Sequence, residues 1–163
     1  ISCSLVGSEM CIRDRVRSAA GDDPVVIMPD GGFPAGFVNF MAQRHYRNVW
    51  VDAHMDHKDG KKIDVAGPSG VRRLVDARKR ALRDAARTGM PVMVGKWSSA
   101  LPLADAQMTP EGRIALERVY TSEQLEAYAA CPAWFFNTWK TSGLLTSWDA
   151  RVALSSFERG MIV

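Results

Sequence analysis

The chain has 163 residues, 47% of them apolar and 24% charged, with a formal net charge of +3, a balance typical of a globular protein of about one domain. Its longest apolar runs, Val25-Val26-Ile27-Met28 and Ala133-Trp134-Phe135-Phe136, are far shorter than the ~20 residues a membrane-spanning helix needs. Five Trp, six Phe and three Tyr supply the apolar surface that intrinsically disordered chains lack.

Residues 1–15, ISCSLVGSEMCIRDR, lack the basic start, unbroken apolar stretch and small-residue cleavage site of a secretory signal. The string resembles a translated sequencing-library adapter, which makes it an artefact to be left out of fold reasoning and the biological segment residues 16–163. Setting it aside removes two basic and two acidic residues, leaves the charge at +3, and takes Cys3 and Cys11 with it. Cys131 then remains as a lone thiol, with no partner for a disulfide framework.

From Val16 onward, short apolar runs alternate with longer amphipathic ones, the pattern of an α/β fold. The runs at residues 25–28, 49–51, 92–94 and 134–136, bounded by Pro, Gly, Asp or Asn, read as parallel strands buried on both faces. A helix is expected over residues 35–44 behind Pro34, and a longer one over 70–88, capped by Ser69 and stopped by Gly89 and Pro91. The second carries Arg72, Arg73, Lys79, Arg80, Arg83 and Arg87 mostly on one face, but Asp76 and Asp84 interrupt that charge. A solvated covering helix therefore explains it better than a nucleic-acid surface. Thr109-Pro110-Glu111 marks another helix start, and Thr121 with Gln124 has capping-box spacing for a helix over 122–130.

In α/β folds chemistry gathers just past the C-terminal ends of the strands. Those positions carry Asp30 after the first run, Asp52, His54, Asp56 and His57 after the second, Lys96, Trp97, Ser98 and Ser99 after the third, and Trp139 and Lys140 after the fourth. Two Trp directly after strands, beside hydrogen-bonding groups, form the kind of surface that binds a sugar ring.

Taken in order, these segments resemble the C-terminal half of the exo-β-1,3-glucanase-like branch of glycoside hydrolase family five. The family's fifth strand looks like Pro24-Val25-Val26-Ile27-Met28-Pro29-Asp30-Gly31-Gly32-Phe33, and its sixth, ending Asp-x-His-x-Tyr, like Val49-Trp50-Val51-Asp52-Ala53-His54-Met55-Asp56. Its seventh, Val-x-Gly-Glu-Trp-Ser, is similar to Val92-Met93-Val94-Gly95-Lys96-Trp97-Ser98. Its eighth is similar to Trp134-Phe135-Phe136-Asn137-Thr138-Trp139-Lys140-Thr141, with Trp148-Asp149 matching the family's ending.

The resemblance implies about four βα units, the C-terminal half of a (β/α)8 TIM barrel, taken from a retaining β-glucan hydrolase that needs no cofactor or metal. It implies Asp30, His54, Trp97, Trp139 and Lys140 as substrate-binding groups, and β-glucan or an oligosaccharide as the partner, with neither nucleic acid nor membrane. It leaves the compartment unassigned, since family members are often secreted or periplasmic. Three departures count against catalysis: the half that carries the acid/base Glu is missing, Lys96 occupies the place of the nucleophilic Glu, and Asp56 replaces the Tyr that normally touches that nucleophile. A one-base codon change, a degenerate family member or a subfamily with its nucleophile elsewhere would each account for Lys96. The expectation is a chain that does not hydrolyse glycosides, with self-association through exposed half-barrel edges as a consequence of the missing half.

Two further readings stand beside this one. A non-catalytic carbohydrate binder would use the same residues without turnover. A metallo-hydrolase would use Asp52, His54, Asp56 and His57, whose alternation after a strand resembles the zinc motif of metallo-β-lactamase-like enzymes, although no His follows His57.

Overall fold

The computed structural model describes residues 3–30, 47–55, 67–87, 89–103, 108–143, 145–155 and 157. The elements run α1 (Cys3–Ala20), β1 (Val26–Pro29), β2 (Val49–His54), α2 (Gly67–Ala86), β3 (Val92–Trp97), α3 (Pro110–Tyr128), β4 (Trp134–Phe136), a single 3-10 turn (Thr146–Trp148) and α4 (Ala150–Ala153). The protein is α/β, with a four-stranded parallel sheet whose spatial order, β1-β2-β3-β4, is also the chain order. Parallel neighbours require a crossover between them, which α2 supplies from β2 to β3 and α3 from β3 to β4.

The four expected strands are present, but two are longer than their apolar runs. β2 continues to His54 and β3 to Trp97, so Asp52, His54, Lys96 and Trp97 belong to the ladder and not to loops beyond it. The expectation of strands buried on both faces holds for the apolar run of β3, where Val92, Met93 and Val94 are all buried, and is corrected for β1 and β2. β1 alternates, with Val26 and Met28 buried while Ile27 is 48% exposed. In β2, Val49, Val51 and Ala53 are buried, and Trp50, Asp52 and His54 are only half-buried. One face of β1 and of β2 is packed, while the other is exposed in β1 and half-buried in β2. The helix expected over 35–44 lies outside the described residues.

The chain divides into two compact units, Ile1–His54 with Ala81–Met93, and Met55–Arg80 with Val94–Val163. In the first, α1 ends at Gly21, whose φ of 73° is one that glycine adopts without steric cost. Arg17 of α1 then gathers the starts of β1 and β2. Its Nη1 donates to the carbonyls of Gly21 and Pro24 at 3.3 and 2.8 Å, and its Nη2 to those of Arg47 and Asn48 at 2.7 and 3.2 Å. Asn48 takes the left-handed conformation, φ 51°, and its carbonyl also accepts from the Val26 amide at 2.8 Å, opening the β1–β2 ladder. From there the two strands pair in parallel from Val26↔Val49 to Pro29↔Asp52.

The second unit is built around α3. Thr109 caps it by accepting from the Gly112 amide at 3.1 Å, and Pro110 occupies the first turn, as the sequence predicts. The separate helix expected over 122–130 is corrected, because α3 runs unbroken to Tyr128. Thr121 caps nothing. Its hydroxyl lies 2.7 Å from both the Glu117 carbonyl one turn back and the Ser99 hydroxyl. Gln124 is fully buried, donating to the Ser98 carbonyl at 3.0 Å and accepting from the Tyr128 hydroxyl at 3.0 Å. The capping-box spacing is thus a pair of packing contacts.

α2 begins three residues before the expected start, so Ser69 lies in its first turn and not ahead of it, while Gly89, φ 83°, stops it as expected. Part of its basic face is matched by acidic residues of α3: Arg72 reaches Glu123 at 2.9 Å and Lys79 reaches Glu126 at 2.6 Å. Arg78 donates to the Tyr120 hydroxyl at 2.6 Å. Among the described residues no helix is long and apolar enough to cross a membrane.

Gln124→Ala strands the Ser98 carbonyl and the Tyr128 hydroxyl in a buried site, so urea unfolding is expected to show a loss of about 1–3 kcal/mol with an unchanged slope. A midpoint equal to that of the parent chain would show that these bonds contribute nothing.

Candidate functional site

The C-terminal ends of the strands are where the residue types capable of chemistry collect, and each unit holds its own group. In the first unit, β1 ends at Asp30, which is buried, with its amide donating to the Asp52 carbonyl at 3.0 Å. Asp52 and His54, two apart in β2, project from the same face because side chains alternate along a strand. Their side chains meet, Asp52 Oδ2 lying 3.1 Å from His54 Nε2. The other carboxylate oxygen, Oδ1, is closed to solvent and has no hydrogen-bond partner among the described residues. The structure therefore brings Asp52 and His54 into contact and puts Asp30 on the adjoining strand end. Asp56 and His57 lie outside the described residues. Among the described residues no group of three or more His, Cys, Asp or Glu stands where it can hold a metal, and Asp52 and His54 are engaged with each other.

In the second unit, Lys96 is a half-buried residue of β3, and its carbonyl accepts from the Met55 amide at 2.9 Å. Trp97, next in the strand, is fully buried. Three rings meet it edge to face: Phe136 at 4.9 Å between centroids, and Tyr128 and Trp134 each at 5.4 Å. Such T-shaped contacts are favoured by the ring quadrupoles, and they occupy the indole that the sequence offers to a sugar. The geometry gives Trp97 a core role. Its Nε1–H is buried without an acceptor. Trp139 is the opposite case, 73% exposed, with Lys140 beside it also exposed.

What holds the Trp139 segment is a network that sequence reasoning did not assign. The Thr138 amide donates to the Trp148 carbonyl at 2.8 Å, and the Ala150 amide returns a bond to the Thr138 carbonyl at 3.0 Å. Asp149 closes the loop from the other side: its Oδ2 accepts from the Thr141 amide at 3.0 Å and from Arg151 Nη2 at 2.9 Å. Its Oδ1 caps α4 by accepting from the Arg151 amide at 3.1 Å. The Arg151 hydrogen bonds, with that of the Thr141 amide, hold the Asp149 carboxyl down at about 2. An Asp directly before a short helix was the available signal, since Asp is a favoured N-cap. The second unit also holds a cleft of about 250 Å³ lined by Ile114, Glu117, Thr121, Ser147 and Val152 among others, where Ser147 donates to Glu117 Oε2 at 2.6 Å. None of the residues expected to bind sugar lines it.

Chemically, the first unit offers a carboxylate–imidazole pair able to hold a proton at a defined nitrogen, and the second an exposed indole beside an ammonium group. No family model matches the chain, and no curated protein matches it.

Two predictions follow from this geometry. Trp97→Ala is expected to cost about 3–5 kcal/mol in chemical unfolding, while Trp139→Ala stays within about 0.5 kcal/mol of the parent chain; equal costs would contradict the assignment of one indole to the core and the other to the surface. For Asp149, the folded carboxyl at about 2 lies below its ordinary 3.8, so its contribution is complete above the ordinary value and is lost as pH falls toward the folded one. Asp149→Asn is therefore expected to lower the thermal midpoint at neutral pH and to flatten its decline between about pH 4 and 2. A variant whose midpoint falls as steeply as the parent's across that window would remove Asp149 from the acid response.

Proposed function

We propose that this chain is the C-terminal half of a (β/α)8 barrel from a β-glucan-acting glycoside hydrolase of family five, and that it binds β-glucan without cleaving it. The observation that carries the reading is the order of the strands. Four parallel strands lie side by side in chain order, each ending on one of the segments that resemble the family, and that order is what successive units of a barrel require. A doubly wound sheet would instead reverse its order at a switch point.

Retaining hydrolysis needs two carboxyl groups about 5–5.5 Å apart, one to attack the anomeric carbon and one to move the proton. At the end of β3, in the place of the attacking carboxylate, stands Lys96. An ammonium group can neither form the glycosyl ester nor stabilise the positive charge that develops on the sugar ring. Binding makes no such demand. Within the second unit, Trp139 and Lys140 supply a stacking face and a hydrogen-bond donor; within the first, taken by itself, His54 supplies a hydrogen-bonding ring. Trp97, enclosed by three rings, is left out of the binding set.

Calorimetric titration with laminari-oligosaccharides is expected to give saturable binding, weakened roughly tenfold by Trp139→Ala, while laminarin incubated with the chain releases no reducing sugar. Turnover of laminarin by the chain would overturn the inactivity, and an absence of binding would overturn the carbohydrate reading.

A further inference from the structure

Asp52 and His54 share more than a strand face. An ionised carboxylate has no hydrogen to give, so a contact of 3.1 Å between Asp52 Oδ2 and His54 Nε2 is a hydrogen bond only if Nε2 carries the proton. In a neutral imidazole the proton sits on one nitrogen, and its partner there fixes the role of the other. Nδ1 is then an acceptor. The backbone reinforces the arrangement: the Asp52 carbonyl is held by the Asp30 amide at 3.0 Å and β2 is paired to β1 as far as Asp52, so the carboxylate rises from an anchored position. Both side chains are only half-buried, which leaves the imidazole within reach of a ligand. The second carboxylate oxygen is closed to solvent and has no hydrogen-bond partner among the described residues, where the bond that this carboxylate does make is the one to His54.

We propose that Asp52 is a positioning residue, which fixes His54 as the Nε2–H tautomer and so presents Nδ1 as a hydrogen-bond acceptor to a donor group of the ligand. On the β-glucan reading, on which this last step rests, that donor is a sugar hydroxyl.

The ring can be read directly. Long-range nitrogen–proton spectra of the intact, isotope-labelled chain distinguish a protonated from an unprotonated ring nitrogen. The three histidines of the chain are separated by the signal that disappears in His54→Gln. The expected result is a His54 ring held wholly as Nε2–H in the parent chain and passing to a mixture of tautomers in Asp52→Ala, with laminari-oligosaccharide affinity falling roughly fivefold. Should Asp52→Ala fail to fold, Asp52→Asn keeps the side-chain shape and carries the same test through loss of the carboxylate. A mixed or Nδ1–H ring in the parent chain overturns the proposal, as does a variant ring that stays wholly Nε2–H. A parent chain that shows the tautomer, and loses it in the variant, but binds no oligosaccharide supports Asp52 as the positioning group and contradicts the β-glucan reading instead.

Discussion

A strand paired in parallel with its neighbour must be followed by a crossover of about a dozen residues or more before the chain can return to the same end of the sheet. Here that requirement is met by long helices. α2 returns the chain from β2 to β3 and α3 from β3 to β4, and the sheet order follows the chain order without reversal. The same constraint explains why the chemically versatile residues fall where they do. The N-terminal halves of β2 and β3 are committed to core packing, so Val49, Val51, Val92 and Val94 are buried, while the polar residues Asp52, His54 and Lys96 come in the C-terminal halves.

In the second unit, α3 converts this layout into a fixed surface. Gln124 ties the helix to the Ser98 carbonyl, Thr121 ties it to Ser99, and Tyr128 packs its ring against Trp97. These contacts grip the residues at and just after the end of β3. The segment after β4 is fixed from the other direction, by the Trp148 and Ala150 backbone and the Asp149 carboxylate. Trp139 is thus an exposed ring on an anchored segment, and an indole whose backbone is already ordered loses less freedom on binding than one on a loose loop.

The existence and class of the strands were legible because apolar runs bounded by Gly, Pro and Asp have few other uses. Their lengths were not, because a backbone ladder is indifferent to side chains. Met55 bonds to the Lys96 carbonyl and Asn137 to that of Trp97, whatever those residues carry beyond Cβ. The burial of Trp97 was hidden for a related reason. The β3–β4 register shifts between Val94 and Trp97, and such an irregularity redirects the side chains that follow it. A regular count of alternation therefore does not say which way the indole turns. Thr121 and Gln124 misled because capping-box spacing is also one helical turn, the spacing of two residues on the same packed face. Asp52 beside His54 was legible as spacing alone, since period-two alternation puts both on one face, but their direct contact required coordinates.

On the proposed β-glucan reading, the exposed Trp139, and not Trp97 enclosed by three rings, meets the carbohydrate. Nitrogen–proton spectra followed through a titration with a laminari-oligosaccharide observe both indole N–H groups at once. The Trp139 indole signal is expected to move saturably while that of Trp97 stays in place. A Trp97 signal that moves while Trp139 is unaffected, or two signals that both ignore the sugar, would contradict it.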